Sequence, residues 1–97
     1  MEAFNLFGDM PTLAIIYFLS ESPKRFTELE RLTGMNPVTL TVRLKRLTSQ
    51  HLIKRIEQET DKQSVSYSLD ILGEKALPIL KQIERFSKEL PSGYDSN

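Results

Sequence analysis

The stretch Asn36–Gln50, NPVTLTVRLKRLTSQ, decides the fold. Asn36 is a good N-cap, and Pro37 suits the first helical position, where no intrahelical N–H is needed. Leu40, Leu44 and Leu47 recur at i, i+4 and i+7 and form one stripe that the rest of the domain must cover. The other faces carry Val38, Thr39, Thr41, Val42, Lys45, Arg46 and Ser49, small near the start and basic further along, with no carboxylate. A helix of this kind can enter a narrow anionic groove end-first, its small residues allowing close approach and its bases meeting phosphates. It reads as a DNA-recognition helix over 37–50.

The flanking sequence supplies a setting for it. Upstream, Thr27-Glu28-Leu29-Glu30 has the form of a capping box, with the Thr27 hydroxyl taking the Glu30 N–H and the Glu30 carboxylate reaching back. A short helix burying Leu29 and Leu32 follows, and Gly34 can close it at positive φ. Two helices joined by a short glycine turn make a helix-turn-helix, whose second helix enters the major groove. Downstream, Ser64-Val65-Ser66-Tyr67-Ser68-Leu69 alternates small polar and large apolar residues as a half-buried strand does. Ile53–Gln58 pairs with it across polar turn residues 59–63, so the segment 53–69 is a hairpin, a wing beside the recognition helix.

Further out lie two apolar helices. Asp9 caps a helix whose first turn holds Pro11, and Leu13–Leu19 is apolar on all sides, as expected of the central core helix. Ser20–Pro23 ends it. Asp70 caps the last helix, in which Leu72, Ala76, Ile79, Leu80, Ile83, Phe86 and Leu90 recur at three- and four-residue spacing; Pro78 should bend it or break its first turn. Its stripe extends on the order of 28 Å, more than a small core can cover. Residues 1–8 form an N-terminal arm with Phe4, Leu6 and Phe7, too apolar to be simply solvated. The organisation is then a single winged-helix domain over 1–90, mainly α with a small β-hairpin (α+β), its C-terminal dimerisation helix at 71–90 and a disordered tail at 91–97.

The totals agree with this. A chain of 97 residues supports one small core, burying about 65% of its unfolded surface. Its 39% hydrophobic and 27% charged residues suit a globular protein, and no apolar run approaches the ~18 residues of a membrane span. The first residues lack the basic and apolar regions of a secretory signal, which leads us to expect a cytoplasmic protein. Cysteine is absent, so no disulfide, thiolate nucleophile or cysteine zinc site exists, and the lone His51 builds neither a metal site nor a triad. Glu28 and Glu30 are explained by a helix start and Glu57, Glu59 and Asp61 by a turn, and the four glycines are too scattered for a phosphate loop. No enzyme, metal or cofactor is expected. Net charge is zero, but Arg31, Arg43, Lys45, Arg46, Lys54 and Arg55 fall in the acid-free stretch Arg31–Ile56, so a neutral chain can present a basic face.

Candidate contacts follow by position. Pro37, Val38, Thr39, Thr41 and Val42 lie at the end that meets base edges, where threonine and valine methyls suit thymine methyls. Lys45 and Arg46 are placed for phosphate, or for guanine if the helix lies deep. Arg43, on the flank of the leucine stripe, either binds phosphate or covers the core with its stem. Lys62 and Gln63 at the wing tip reach DNA or belong to a solvated turn beside Glu59 and Asp61. Lys54 and Arg55 point to opposite faces of a strand, so at most one faces DNA. His51 reads as a helix-end residue favoured by the dipole.

In the order and spacing of Pro23-Lys24-Arg25-Phe26-Thr27-Glu28-Leu29, Leu40–Leu47, Leu52-Ile53-Lys54-Arg55, Tyr67-Ser68-Leu69, Leu72-Gly73 and Pro78, the chain resembles the HxlR-type winged-helix regulators of the wider MarR-like group. The resemblance implies a prokaryotic homodimer on a pseudo-palindromic operator in double-stranded DNA, recognition helices in successive major grooves and wings on the flanking backbone. Many members sense oxidants through an N-terminal cysteine; this chain has none, and that mechanism does not transfer. Its wing also lacks the family's proline-rich turn, and Asp61-Lys62-Gln63-Ser64-Val65 looks more MarR-like. Dimerisation is expected through Phe4, Leu6 and Phe7 of the arm with Ile79, Ile83, Phe86 and Leu90. A protein-interaction module without DNA contact is the alternative, favoured by zero net charge and the acidic wing. Any small-molecule effector is undetermined by the sequence.

Overall fold

The computed structural model describes residues 2–58 and 61–91, and within them every side chain except those of 2, 7, 58 and 61–64. Eight elements follow one another: α1 (Glu2–Phe7), α2 (Met10–Glu21), β1 (Lys24–Arg25), α3 (Phe26–Thr33), α4 (Pro37–Ser49), β2 (Ile53–Gln58), β3 (Asp61–Leu69) and α5 (Ile71–Glu89). The strands form an antiparallel sheet in the order β1-β3-β2. This is the expected mainly helical winged fold, with one strand more than the hairpin read from sequence.

The leucine stripe of α4 is where the core gathers. Leu40, Leu44 and Leu47 pack with Ile15, Ile16 and Leu19 of α2, Leu29 of α3, and Leu52, Ile53 and Leu69 at the base of the sheet. Burying an aliphatic side chain contributes about 1.5–3 kcal/mol, so this cluster holds the helices in place. Leu32, expected to be buried with Leu29, is half-covered.

Four local expectations are corrected. The box at the start of α3 is displaced: Glu28, not Glu30, takes a backbone N–H, that of Arg25, at 3.1 Å. The cause is β1, whose Lys24 and Arg25 face Tyr67 and Ser66 across β3 and hold the chain extended immediately before Phe26. Polar residues 61–63, read as turn, begin β3; the ladder pairs Ile53 with Leu69 through Glu57 with Val65, then shifts register before Gln58. α2 is not enclosed all round. It buries Thr12, Ile15, Ile16 and Leu19, while Met10 and Tyr17 stand exposed beside a groove of 630 Å³ shared with Leu77, Leu80 and Ile83 of α5. Of the two outcomes expected of Pro78, a bend or a break, the break does not occur: α5 runs unbroken from Ile71 to Glu89. Both Pro78 and Glu74 are exposed, so water can take the Glu74 carbonyl that lost its donor.

The C-terminal helix is covered only near its start, where Gly73 and Ala76 are buried. Ile79, Ile83, Phe86 and Leu90 remain exposed, in keeping with a stripe longer than the core. In the arm, Leu6 turns inward onto the core and Phe4 stands exposed. The side chain of Phe7 lies outside the described residues, as does the tail beyond Pro91. No helix is long and apolar enough to cross a membrane among the described residues.

Candidate nucleic-acid interface

The turn that presents α4 is built within the four residues Thr33–Asn36. Gly34 adopts φ 72°, the left-handed conformation that favours glycine, and its N–H donates to the Glu30 carbonyl. Thr33 closes the end of α3, its hydroxyl donating to the Leu29 carbonyl at 2.6 Å and accepting from the Met35 N–H at 3.3 Å. Asn36 then opens α4, its Oδ1 accepting from the Thr39 N–H at 2.8 Å. Because every link is local, the helix-turn-helix could be read from the chain.

With the leucines inward, α4 turns Val38, Val42, Lys45, Arg46 and Ser49 outward, all exposed. Val38 is 74% and Val42 53% exposed. Two apolar side chains left in water four residues apart contribute nothing to the core, and they suit a partner that offers methyl groups. Pro37 is exposed at the tip, and Thr39 and Thr41 are half-buried on either side of the crest. Among the described residues, neither Lys45 nor Arg46 has a carboxylate partner. At the same end Pro37 has no N–H and the Thr39 N–H is capped by Asn36, which leaves the Val38 N–H as the uncapped donor of the first turn among the described residues.

Arg43 is apart from this surface. Its Nε lies 2.9 Å from Asp9 Oδ2, and its Nη2 donates to Asp9 Oδ1 at 3.4 Å. The side chains of Lys62 and Gln63 lie outside the described residues. Of Lys54 and Arg55, at most one of which was expected to face DNA, Arg55 lines the same 510 Å³ cleft as Lys45, with Phe26, Thr41 and Tyr67. Arg55 is opposite Tyr67 in the ladder and forms an ion pair with Glu57. Only strand register could have brought it there.

At the far end, α4 closes with a complete Schellman motif. The Leu52 N–H donates to the Leu47 carbonyl at 3.0 Å and the His51 N–H to the Thr48 carbonyl at 3.1 Å, with His51 at φ 61°. His51 is thus a helix-end residue, but through its backbone, in a place where glycine is usual.

A family model described as HxlR-like helix-turn-helix matches residues 6–93. The chain belongs to the HxlR-like helix-turn-helix family. It is 38% identical over 81 residues to an uncharacterised HTH-type transcriptional regulator of Halalkalibacterium halodurans, covering 81% of this chain and 72% of that one. Among solved structures, a putative MarR-family transcriptional regulator from Porphyromonas gingivalis W83 is 34% identical with TM-score 0.80, over 93% of this chain and 89% of that one. The reduced form of YodB from B. subtilis, 24% identical, shares the fold at TM-score 0.79 over 95% and 91% of the two chains. This HxlR-like chain is therefore a helix-turn-helix transcriptional regulator of the MarR-like type, a class of regulators rather than enzymes.

Proposed function

We propose that this HxlR-like protein binds a pseudo-palindromic operator in double-stranded DNA as a homodimer, with α4 in the major groove and the hairpin 53–69 along the flanking backbone. The observation that carries the reading is the acid-free outer face of α4, where exposed Val38 and Val42 lie beside Lys45 and Arg46, unpaired among the described residues. Valine and threonine methyls read thymine methyls, and the cations, joined by Arg55 across the cleft, neutralise phosphates. The exposed row Ile79, Ile83 and Phe86 supports pairing of two α5 helices. A two-fold dimer on one face of the duplex requires its recognition helices about 34 Å apart, one turn of DNA.

Binding to mixed genomic duplex fragments across a salt series tests this, with a Lys45→Ala, Arg46→Ala double variant alongside. Log affinity should fall linearly with log salt, and the variant's slope should be shallower by roughly 0.9 for each phosphate it no longer neutralises. No binding at low salt would discard the reading in favour of a protein-interaction module.

A further inference from the structure

Among the described residues, Arg43 and Asp9 form the one ion pair between residues distant in the chain; the other three link residues two to four positions apart. Both side chains are about three-quarters covered, at 27% and 23% exposure. Asp9 does not cap α2 with its side chain. Its Oδ2 instead accepts from the hydroxyl of buried Thr12 at 2.5 Å, which fixes the carboxylate where Arg43 meets it. Arg43 lies three residues from Leu40 and four from Leu47, hence on the border of the buried stripe and away from the Val38–Val42 crest.

We infer that Arg43 is a positioning residue of the DNA-binding helix: held by Asp9, it sets how α4 leans on the start of α2 and stays off the nucleic acid. This rests on the DNA-binding reading above. The charges argue for it. Were Arg43 to swing to a phosphate, it would abandon a mostly covered carboxylate beside an approaching anionic backbone, giving up one partner and adding a repulsion. With the pair intact, Asp9 is neutralised and α4 is tied to the segment between the arm and α2. Its orientation then depends on a residue 34 positions away.

The test compares the parent chain with Arg43→Met, which keeps an apolar stem, with Asp9→Asn, which keeps an acceptor for Thr12, and with the double variant, on the same duplex fragments and salt series. Either single change should weaken binding about three- to tenfold with the salt slope unchanged, and the double variant should be no weaker than the weaker single. A slope shallower by about 0.9 in Arg43→Met, with Asp9→Asn binding as well as the parent or better, would overturn the inference by making Arg43 a phosphate ligand. Unchanged affinity in both singles would overturn it too. Amide exchange without DNA separates this from failure of the DNA reading: if the parent binds no duplex, faster exchange along α4 in Asp9→Asn still supports the positioning role, and unchanged exchange rejects it.

Discussion

A Cβ placed on Gly73 would stand 2.1 Å from the carbonyl oxygen of Leu52, and 3.1 Å from Leu69 Cδ2. The first turn of α5 therefore lies directly on the residue that closes the end of α4. That carbonyl also accepts from the Asp70 N–H at 2.9 Å, and the neighbouring His51 carbonyl accepts from Leu72 at 3.3 Å. The helix proposed to read DNA and the helix proposed to pair two copies are joined here through the backbone of His51 and Leu52.

Gly73→Ala should therefore destabilise the fold. Overpacking against a backbone carbonyl costs about 1–3 kcal/mol, more than the roughly 0.5–1 kcal/mol that alanine returns in helix propensity. Urea unfolding should show a lower midpoint with an unchanged m-value. A midpoint at or above the parent's would mean that α5 can slide on Leu52 freely.

His51→Gly should have the opposite effect. A non-glycine residue at φ 61° is strained by roughly 1 kcal/mol, which glycine relieves while keeping the Schellman hydrogen bonds. Glycine's greater freedom in the unfolded chain offsets part of that. Thermal unfolding should move up by a few degrees, with DNA affinity within about twofold of the parent. A fall in melting temperature would show that the histidine ring makes contacts of its own.

Val38→Ala with Val42→Ala tests base reading apart from stability. Both side chains are exposed, so unfolding free energy should stay within about 0.5 kcal/mol of the parent. Preference for an operator over mixed duplex should fall by about 1–3 kcal/mol if they meet thymine methyls, with no change in salt slope. Equal weakening on operator and mixed duplex would refute a reading role.

Ile83→Asp with Phe86→Asp addresses assembly. Phe86 is 62% exposed and Ile83 43%, so the fold of one chain should survive while the proposed dimer comes apart. Sedimentation should show monomers with the parent's circular dichroism. Dimers that persist would place the interface elsewhere.

Much of the fold and part of the site were legible in advance. Asn36 and Pro37 at the start of α4, the leucines four and three apart, and the glycine after Thr33 each act over less than two turns of helix, so their spacing carries their structure. The outer face of α4 follows at once, because the inner one is known. The displaced box at Glu28 and the extra strand at Lys24–Arg25 were illegible for one reason: two residues become a strand only when β3, some forty positions on, supplies their partners. Arg55 beside Lys45 depends on the same register.

By itself, then, the sequence determined the helices α2 to α5, the inward face of α4, the glycine turn and the basic stretch on α4, since caps and periodicity are settled between neighbours; that the arm Glu2–Phe7 is helical was not read from it. Tertiary structure alone decided what residues distant in the chain do to one another. It paired Arg43 with Asp9, set Gly73 against the Leu52 carbonyl and left Tyr17 at an open groove. These outcomes arise from close approach across the core, where the partner of each group is fixed by packing and not by its place in the chain.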